Sequence, residues 1–289
     1  MKSYLTLIRP HQWIKNLFLL IPAFFAEVFF VQNNIINLLL GFFAFSISAS
    51  SIYILNDYLD REKDKLHPTK KNRPIAAGKV APSMAFILMF ILFLSGVAIG
   101  YIIDERFFIV ICSYLIINIF YSTKLKHIAI LDINIIAIGF LLRVFAGAFA
   151  VDVAISKWLI LITYLLAVFM GLAKRRDDVL IFNENGQSVR SVVKGYNLEF
   201  INSAMVIMGA VTIVSYIMYT VSPEVIERIG NDYVYLTTFF VIIGVFRYLQ
   251  LTLVHNETGS PTKILYRDRF IQASLIGWIV TFIILIYVI

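Results

Sequence analysis

Asn56, Asp57, Asp60 and Asp64 stand close together between two long apolar stretches. Asp57, Asp60 and Asp64 follow at i, i+3 and i+7, and Asn56, Asp60 and Asp64 at i, i+4 and i+8. On a helix both series fall on one face. Three carboxylates and an amide oxygen on one face repel each other unless a cation stands among them. Mg²⁺ suits that set: it is a hard ion that takes a few carboxylates and leaves its other positions to a substrate phosphate or diphosphate. The competing arrangement is a solvated helix end neutralised by Arg61, Lys63 and Lys65, but those bases lie off the acidic stripe.

Basic groups elsewhere suit the phosphate side of such chemistry. In Lys174-Arg175-Arg176-Asp177-Asp178, Lys174 and Asp178 share a helix face at i, i+4, and Arg175 is able to grip a phosphate with two N–H groups. An ordinary basic membrane anchor would read the same way. Arg143 lies mid-way through an apolar run, where a charge is costly and marks a functional candidate. It should face a cavity and meet a phosphate, or an internal carboxylate in a structural ion pair. Tyr121, Lys124 and Lys126, followed by Asp132 and Asn134, offer a phosphate contact and an acid at a cavity mouth, or simple interfacial placement. Arg9 to Asn16, with Trp13, has the character of an interfacial anchor from which Lys15 and Asn16 reach the site. Arg267-Asp268-Arg269 is a basic flank or a further site element.

The elements that position these residues are membrane helices. The chain has 289 residues, 60% of them hydrophobic, and a mean hydropathy of +0.84. Nine apolar runs are long enough to span a bilayer: 12–31, 35–57, 82–103, 107–123, 128–151, 157–173, 200–221, 233–251 and 270–289. The first reads as a retained helix rather than a signal peptide, since no small-residue cleavage site follows it. Cys112 lies within an apolar run and packs as a small hydrophobe. Gly96 and Gly100 mark helix packing, and Gly139, Ala146, Gly147 and Ala150 let neighbours come close to the fifth span.

The net charge of +7 follows topology and calls for no nucleic acid. Lys and Arg gather before span 1 and after spans 2, 4, 6 and 8, leaving only Arg106, Arg143, Lys157 and Arg228 elsewhere. That alternation puts the N-terminus in the cytoplasm and the C-terminus outside an inner (plasma) membrane. The long connections after spans 2 and 6, about 58–81 and 174–199, stand four spans apart, the pattern of a duplicated four-helix unit with a ninth helix added. Their charged helix ends would then face one cavity open to the cytoplasm, within a single domain, 1–289. No zinc cluster, phosphate-binding glycine loop or Ser/His/Asp pattern is apparent, and nothing signals an oligomeric state. The residues alone fit a transferase joining a polyisoprenoid to a water-soluble group with diphosphate as leaving group.

Asn56-Asp57-x-x-Asp60-x-x-x-Asp64, followed by His67-Pro68-x-Lys70-x-x-Arg73-Pro74-Ile75-Ala76-x-Gly78, resembles the UbiA superfamily of intramembrane prenyltransferases over almost the whole chain. The resemblance implies an all-α, polytopic fold: nine transmembrane helices around a central cavity, with Mg²⁺-bound diphosphate under a cap from the loops after helices 2 and 6. Most aromatic prenyltransferases of the superfamily carry a second acidic motif after helix 6. Here Lys174 and Arg175 stand in that place and only Asp178 keeps an acidic position. That departure looks like the decaprenyl-phosphate phosphoribosyltransferase branch, which also shares Arg9-Pro10-x-Gln12-Trp13-x-Lys15-Asn16, Gly139-Phe140-x-x-Arg143, Ser156-Lys157-Trp158 and Arg267-Asp268-Arg269.

By that resemblance the donor is phosphoribosyl diphosphate (PRPP) and the acceptor a membrane polyprenyl phosphate. Asn56, Asp57, Asp60 and Asp64 would hold Mg²⁺ and the diphosphate. Lys174, Arg175 and Arg73 would bind phosphates, Asp178 would take the remaining acidic role, and Arg143 would bind a phosphate. Two alternatives stay open: prenyl transfer from an allylic diphosphate to an aromatic or other lipid-precursor acceptor, and, more remotely, transport of an anionic lipid. The short, nearly uncharged outward connections speak against transport.

Overall fold

The structure is a computed structural model describing residues 2–66, 70–185, 191–256, 264 and 267–287. His67, Pro68, Arg190 and Lys263, used in the sequence reading, lie outside these residues. The fold is all-α, and among the described residues eight helices are long and apolar enough to cross a membrane. The chain divides into two compact units, Met1–Ile155 and Ser156–Ile289.

The first unit opens with α1, Lys2–Ile8, a 3-10 segment, Pro10–Leu20, and the short α2, Ile21–Phe25. A single span over 12–31 was expected. The backbone instead winds tightly over 10–20 and resumes as α-helix at Ile21, with prolines at the start of both pieces. The cause lies on α7, Leu131–Ala150: a Cβ at Gly147 would stand 1.7 Å from the carbonyl oxygen of Leu19. Backbone meets backbone there, as the small residues of that span foretold.

The hub of this unit is α3, Gln32–Leu59, which packs against the 3-10 segment, α5 (Pro82–Ile103), α6 (Glu105–Thr123) and α7. Its buried residues include Ser46, Ser48, Ser50 and Ser51, small enough for close helix contact. At Gly96 of α5 a Cβ would stand 2.1 Å from the Ser48 hydroxyl oxygen. The opposite face of α5 exposes Phe86, Ile87, Phe90 and Ile91, at helical spacing. A face that apolar is solvated by lipid tails. The α5–α6 turn is tied by Asp104, whose carboxylate accepts from the Arg106 and Phe107 amides.

The second unit contains α8 (Lys157–Asn185), α9 (Leu198–Thr220), α10 (Pro223–Ile229), α11 (Thr238–Leu253) and α12 (Arg269–Tyr287). α9 packs on both α8 and α11, and α11 on α12. The Tyr216 hydroxyl bonds Thr237 Oγ1 at 2.7 Å and accepts from Trp278 Nε1 at 2.6 Å. Such bonds join helices where lipid removes any hydrophobic drive between them.

Candidate active site

The acidic stripe forms where α3 ends. Asp60 caps α3 and starts α4, Arg61–Lys65. The amides of Asp60 and Asp64 still bond the carbonyls of Asn56 and Asp60, so helical spacing carries through the junction. Asp57 and Asp64 are buried and Asp60 is half-buried. The sequence-adjacent bases do not neutralise this row: Lys65 pairs with Glu62, and Arg61 lies over the Tyr58 ring with its guanidinium near Glu62.

The row is met by three cations from elsewhere in the first unit. Arg73 Nη1 stands 3.0 Å from an Asp57 carboxylate oxygen and 2.7 Å from one of Asp64. Arg9 Nη2 donates to the same Asp57 oxygen at 2.6 Å, with its guanidinium over the Tyr53 ring. Lys126 Nζ reaches both oxygens of Asp60 at 2.9 Å and Oδ1 of Asn56 at 3.3 Å. The sequence reading took Arg9 for an interfacial anchor and Lys126 for a phosphate contact beside Lys124; only the fold brings the two to acids so distant in the chain. Lys124, which was assigned, is exposed at the C-cap of α6, and Tyr121 is half-buried one turn earlier.

Among the described residues no group of three or more His, Cys, Asp or Glu is gathered to hold a metal. The donors nevertheless fit Mg²⁺ as a substrate-bridging ion. Asp57 and Asp64 converge on one positively charged nitrogen, and Mg²⁺ is commonly held by one or two carboxylates with phosphate oxygens completing its shell.

A second cationic group lies along the 3-10 segment. Arg143 is buried on α7, and its hydrogen-bond partners among the described residues are all neutral. Its Nε donates to Asn16 Oδ1, Nη1 to the Gly139 carbonyl and Nη2 to the Tyr114 hydroxyl. Phe45, Tyr114 and Phe140 surround the guanidinium at 4.9 to 5.5 Å from the ring centroids. Cation–π contact thus stands where an internal carboxylate, one of the two expected partners beside a phosphate, would have been. Asn16 Nδ2 continues the chain of bonds to Ser46 on α3. Lys15 is half-buried, and its charged neighbours are Arg143 and Arg9.

In the second unit Lys174, Arg175 and Asp178 all lie within α8, which runs on without a break to Asn185. Arg175 is almost wholly buried and pairs with Asp178. Arg176 holds Asn202 and Asn256. In the Arg267-Asp268-Arg269 stretch, Asp268 pairs with Arg247 of α11 at 2.7 Å and caps α12 by accepting from the Ile271 amide. The Arg247 hydrogen bonds hold the Asp268 carboxyl below the usual carboxylate range. This is a structural clasp that the sequence showed only as a charge run.

The UbiA prenyltransferase family model matches residues 19–272, and the chain belongs to that family of membrane transferases. Decaprenyl-phosphate phosphoribosyltransferase of Mycolicibacterium smegmatis is 30% identical over 95% of this chain and 89% of its own length. The protein of the same description from Corynebacterium glutamicum is 26% identical over 97% of this chain and 86% of its own length. Among solved structures, a UbiA homolog from Archaeoglobus fulgidus bound to DMAPP and Mg²⁺ superposes with a TM-score of 0.74 at 19% identity, covering 99% of this chain and 100% of that one.

Proposed function

We propose that the protein transfers 5-phosphoribose from PRPP to a polyprenyl phosphate, releasing diphosphate, as a step toward cell-envelope glycan precursors. The observation that carries this reading is the convergence of Asp57 and Asp64 on one cationic position, with Asp60 and Asn56 beside it on a second. The names of the relatives that match nearly end to end support PRPP as donor. So does the presence of Lys174 and Arg175 where many prenyltransferases of the superfamily carry acids.

When bound, Mg²⁺ draws negative charge off the departing diphosphate. Asn56, Asp57, Asp60 and Asp64 would hold that Mg²⁺ and, with it, the diphosphate. Arg73, Lys174 and Arg175 bind phosphate oxygens, and Asp178 fixes Arg175. Lys126, rather than Lys124, serves the site from the α6–α7 turn. Lys15, backed by the charges of Arg143 and Arg9, receives a further substrate phosphate. An oxygen of the acceptor phosphate bonds to C1 of the ribose as the C1–O bond to diphosphate breaks. No strong general base is needed, because a phosphate monoester is already anionic at neutral pH. The clustering of Lys and Arg in alternate connections supports a cytoplasmic N-terminus and a site open to the cytoplasm.

The test supplies purified protein with decaprenyl phosphate and labelled PRPP, and in parallel with a labelled allylic diphosphate and 4-hydroxybenzoate. Label entering the lipid phase only from PRPP, and lost with EDTA, is the expected result. A prenylated aromatic product would assign the chain to allylic transfer instead.

A further inference from the structure

The carboxylates at the end of α3 already have counter-ions. Asp57, Asp60 and Asp64 are matched by Arg9, Arg73 and Lys126, one positive charge for each negative one. A divalent cation arriving alone would meet a neutral cluster and drive a guanidinium or ammonium off its partner. Diphosphate arriving alone would meet cations already engaged. Leaving either charge unpaired beside a bilayer is costly.

We propose that Arg9, Arg73 and Lys126 are exchangeable counter-ions. Each holds a carboxylate in the ligand-free protein and passes to a diphosphate oxygen when a divalent metal takes the carboxylates. Arg73 Nη1, shared by Asp57 and Asp64, occupies the place of the metal until then. The proposal rests on the metal–diphosphate reading of this site but not on PRPP as the donor.

Two features beyond the pairings favour exchange over static ion pairs. The three cations are long, flexible side chains, and Arg9 and Arg73 expose 20% and 24% of their side-chain surface against 2% for Asp57 and 5% for Asp64. Those two acids are held more closely than the bases they meet, while the Asp60–Lys126 pair leaves both partners part-exposed, at 25% and 13%. Backbone strain also sits at the cations. Arg9 itself has φ +53°, and Ile130, which ends the turn carrying Lys126, has φ +71°. Residues with side chains rarely adopt this region, least of all a β-branched one, and such strain gathers where one conformation gives way to another.

The experiment uses the full chain in detergent, with Mn²⁺ followed by electron paramagnetic resonance and labelled inorganic diphosphate by retention. In Lys126→Met, Mn²⁺ alone should bind roughly tenfold tighter than in wild type, because a competing charge near the metal is gone. The same variant should retain diphosphate in the presence of Mn²⁺ roughly tenfold less well. Lys126→Arg should resemble wild type in both arms. Arg9→Gln should repeat the opposed shifts, and it carries the test if Lys126→Met does not fold. Parallel losses, or no change in Mn²⁺ binding, would overturn the proposal and leave these pairs as static structure. A wild-type protein that retains no diphosphate with Mn²⁺ would overturn the metal reading itself. Opposed shifts together with no transfer from PRPP would remove only the donor assignment.

Discussion

Arg143 Nε donates to Oδ1 of Asn16 at 2.7 Å, joining residues 127 positions apart in the chain. The bond ties the N-terminal 3-10 segment to α7, and Asn16 passes it on to Ser46 of α3. Arg143→Leu deletes the donor and leaves buried acceptors on Asn16 and Tyr114. We expect a loss of about 1–3 kcal/mol in stability, with activity falling as Lys15 loses its neighbour. Thermal unfolding of the variant in detergent checks this. A variant as stable and active as wild type would show that the network is dispensable.

Asp57 and Asp60 should differ when truncated. Both Asp57→Ala and Asp60→Ala are expected to lower turnover by roughly a hundredfold or more if they hold the metal. Asp57→Ala should also destabilise more, since it strips partners from Arg9 and Arg73 at a buried position, whereas Asp60 is half-buried and serves Lys126 alone. Turnover and melting temperature measured side by side separate the two effects. Near-wild-type turnover in either variant would remove that carboxylate from the metal.

Lys174→Ala is expected to raise the PRPP concentration needed for half-maximal rate roughly tenfold, the size of one lost charged hydrogen bond. The loss in PRPP use should exceed any loss of stability, read from melting of the same variant. An unchanged dependence on PRPP takes Lys174 out of the site.

Asp268 gives the second unit an acid-sensitive clasp. Its folded pKa is depressed by Arg247, so its contribution is fully present above the unfolded value, near about 4, and is lost as pH falls through the lower folded value. The stability difference between wild type and Asp268→Asn should be constant above about pH 5 and shrink as pH falls below about 4. A difference independent of pH down to 3 would show that the Arg247 pair adds nothing to stability.

The acidic row was legible because its spacing is local and its residue types are costly beside a bilayer. Its counter-ions were not. Arg9 read as an interfacial anchor, and Lys124 and Lys126 read alike, with nothing local to show that the α6–α7 turn brings Lys126 to Asp60. Eight long spans followed from apolar length alone. The irregular winding of 10–20 did not, because it answers to Gly147 on a helix far along the chain. Arg143 was singled out by its place among apolar residues, yet its aromatic surround comes from α3, α6 and α7 together and has no local signature.

The pairing of Asp60 with Lys126, and of Asn16 with Arg143, also dictates an order of assembly during synthesis. Asn16 and Asp60 leave the ribosome before their partners on α7 and on the α6–α7 turn, which follow much later. A nascent chain halted before residue 126 holds Asp60 without its lysine, and one halted before residue 143 holds Asn16 without its arginine. Asn16 and Asp60 are therefore made well before the residues that hold them, and take their final arrangement only after those follow.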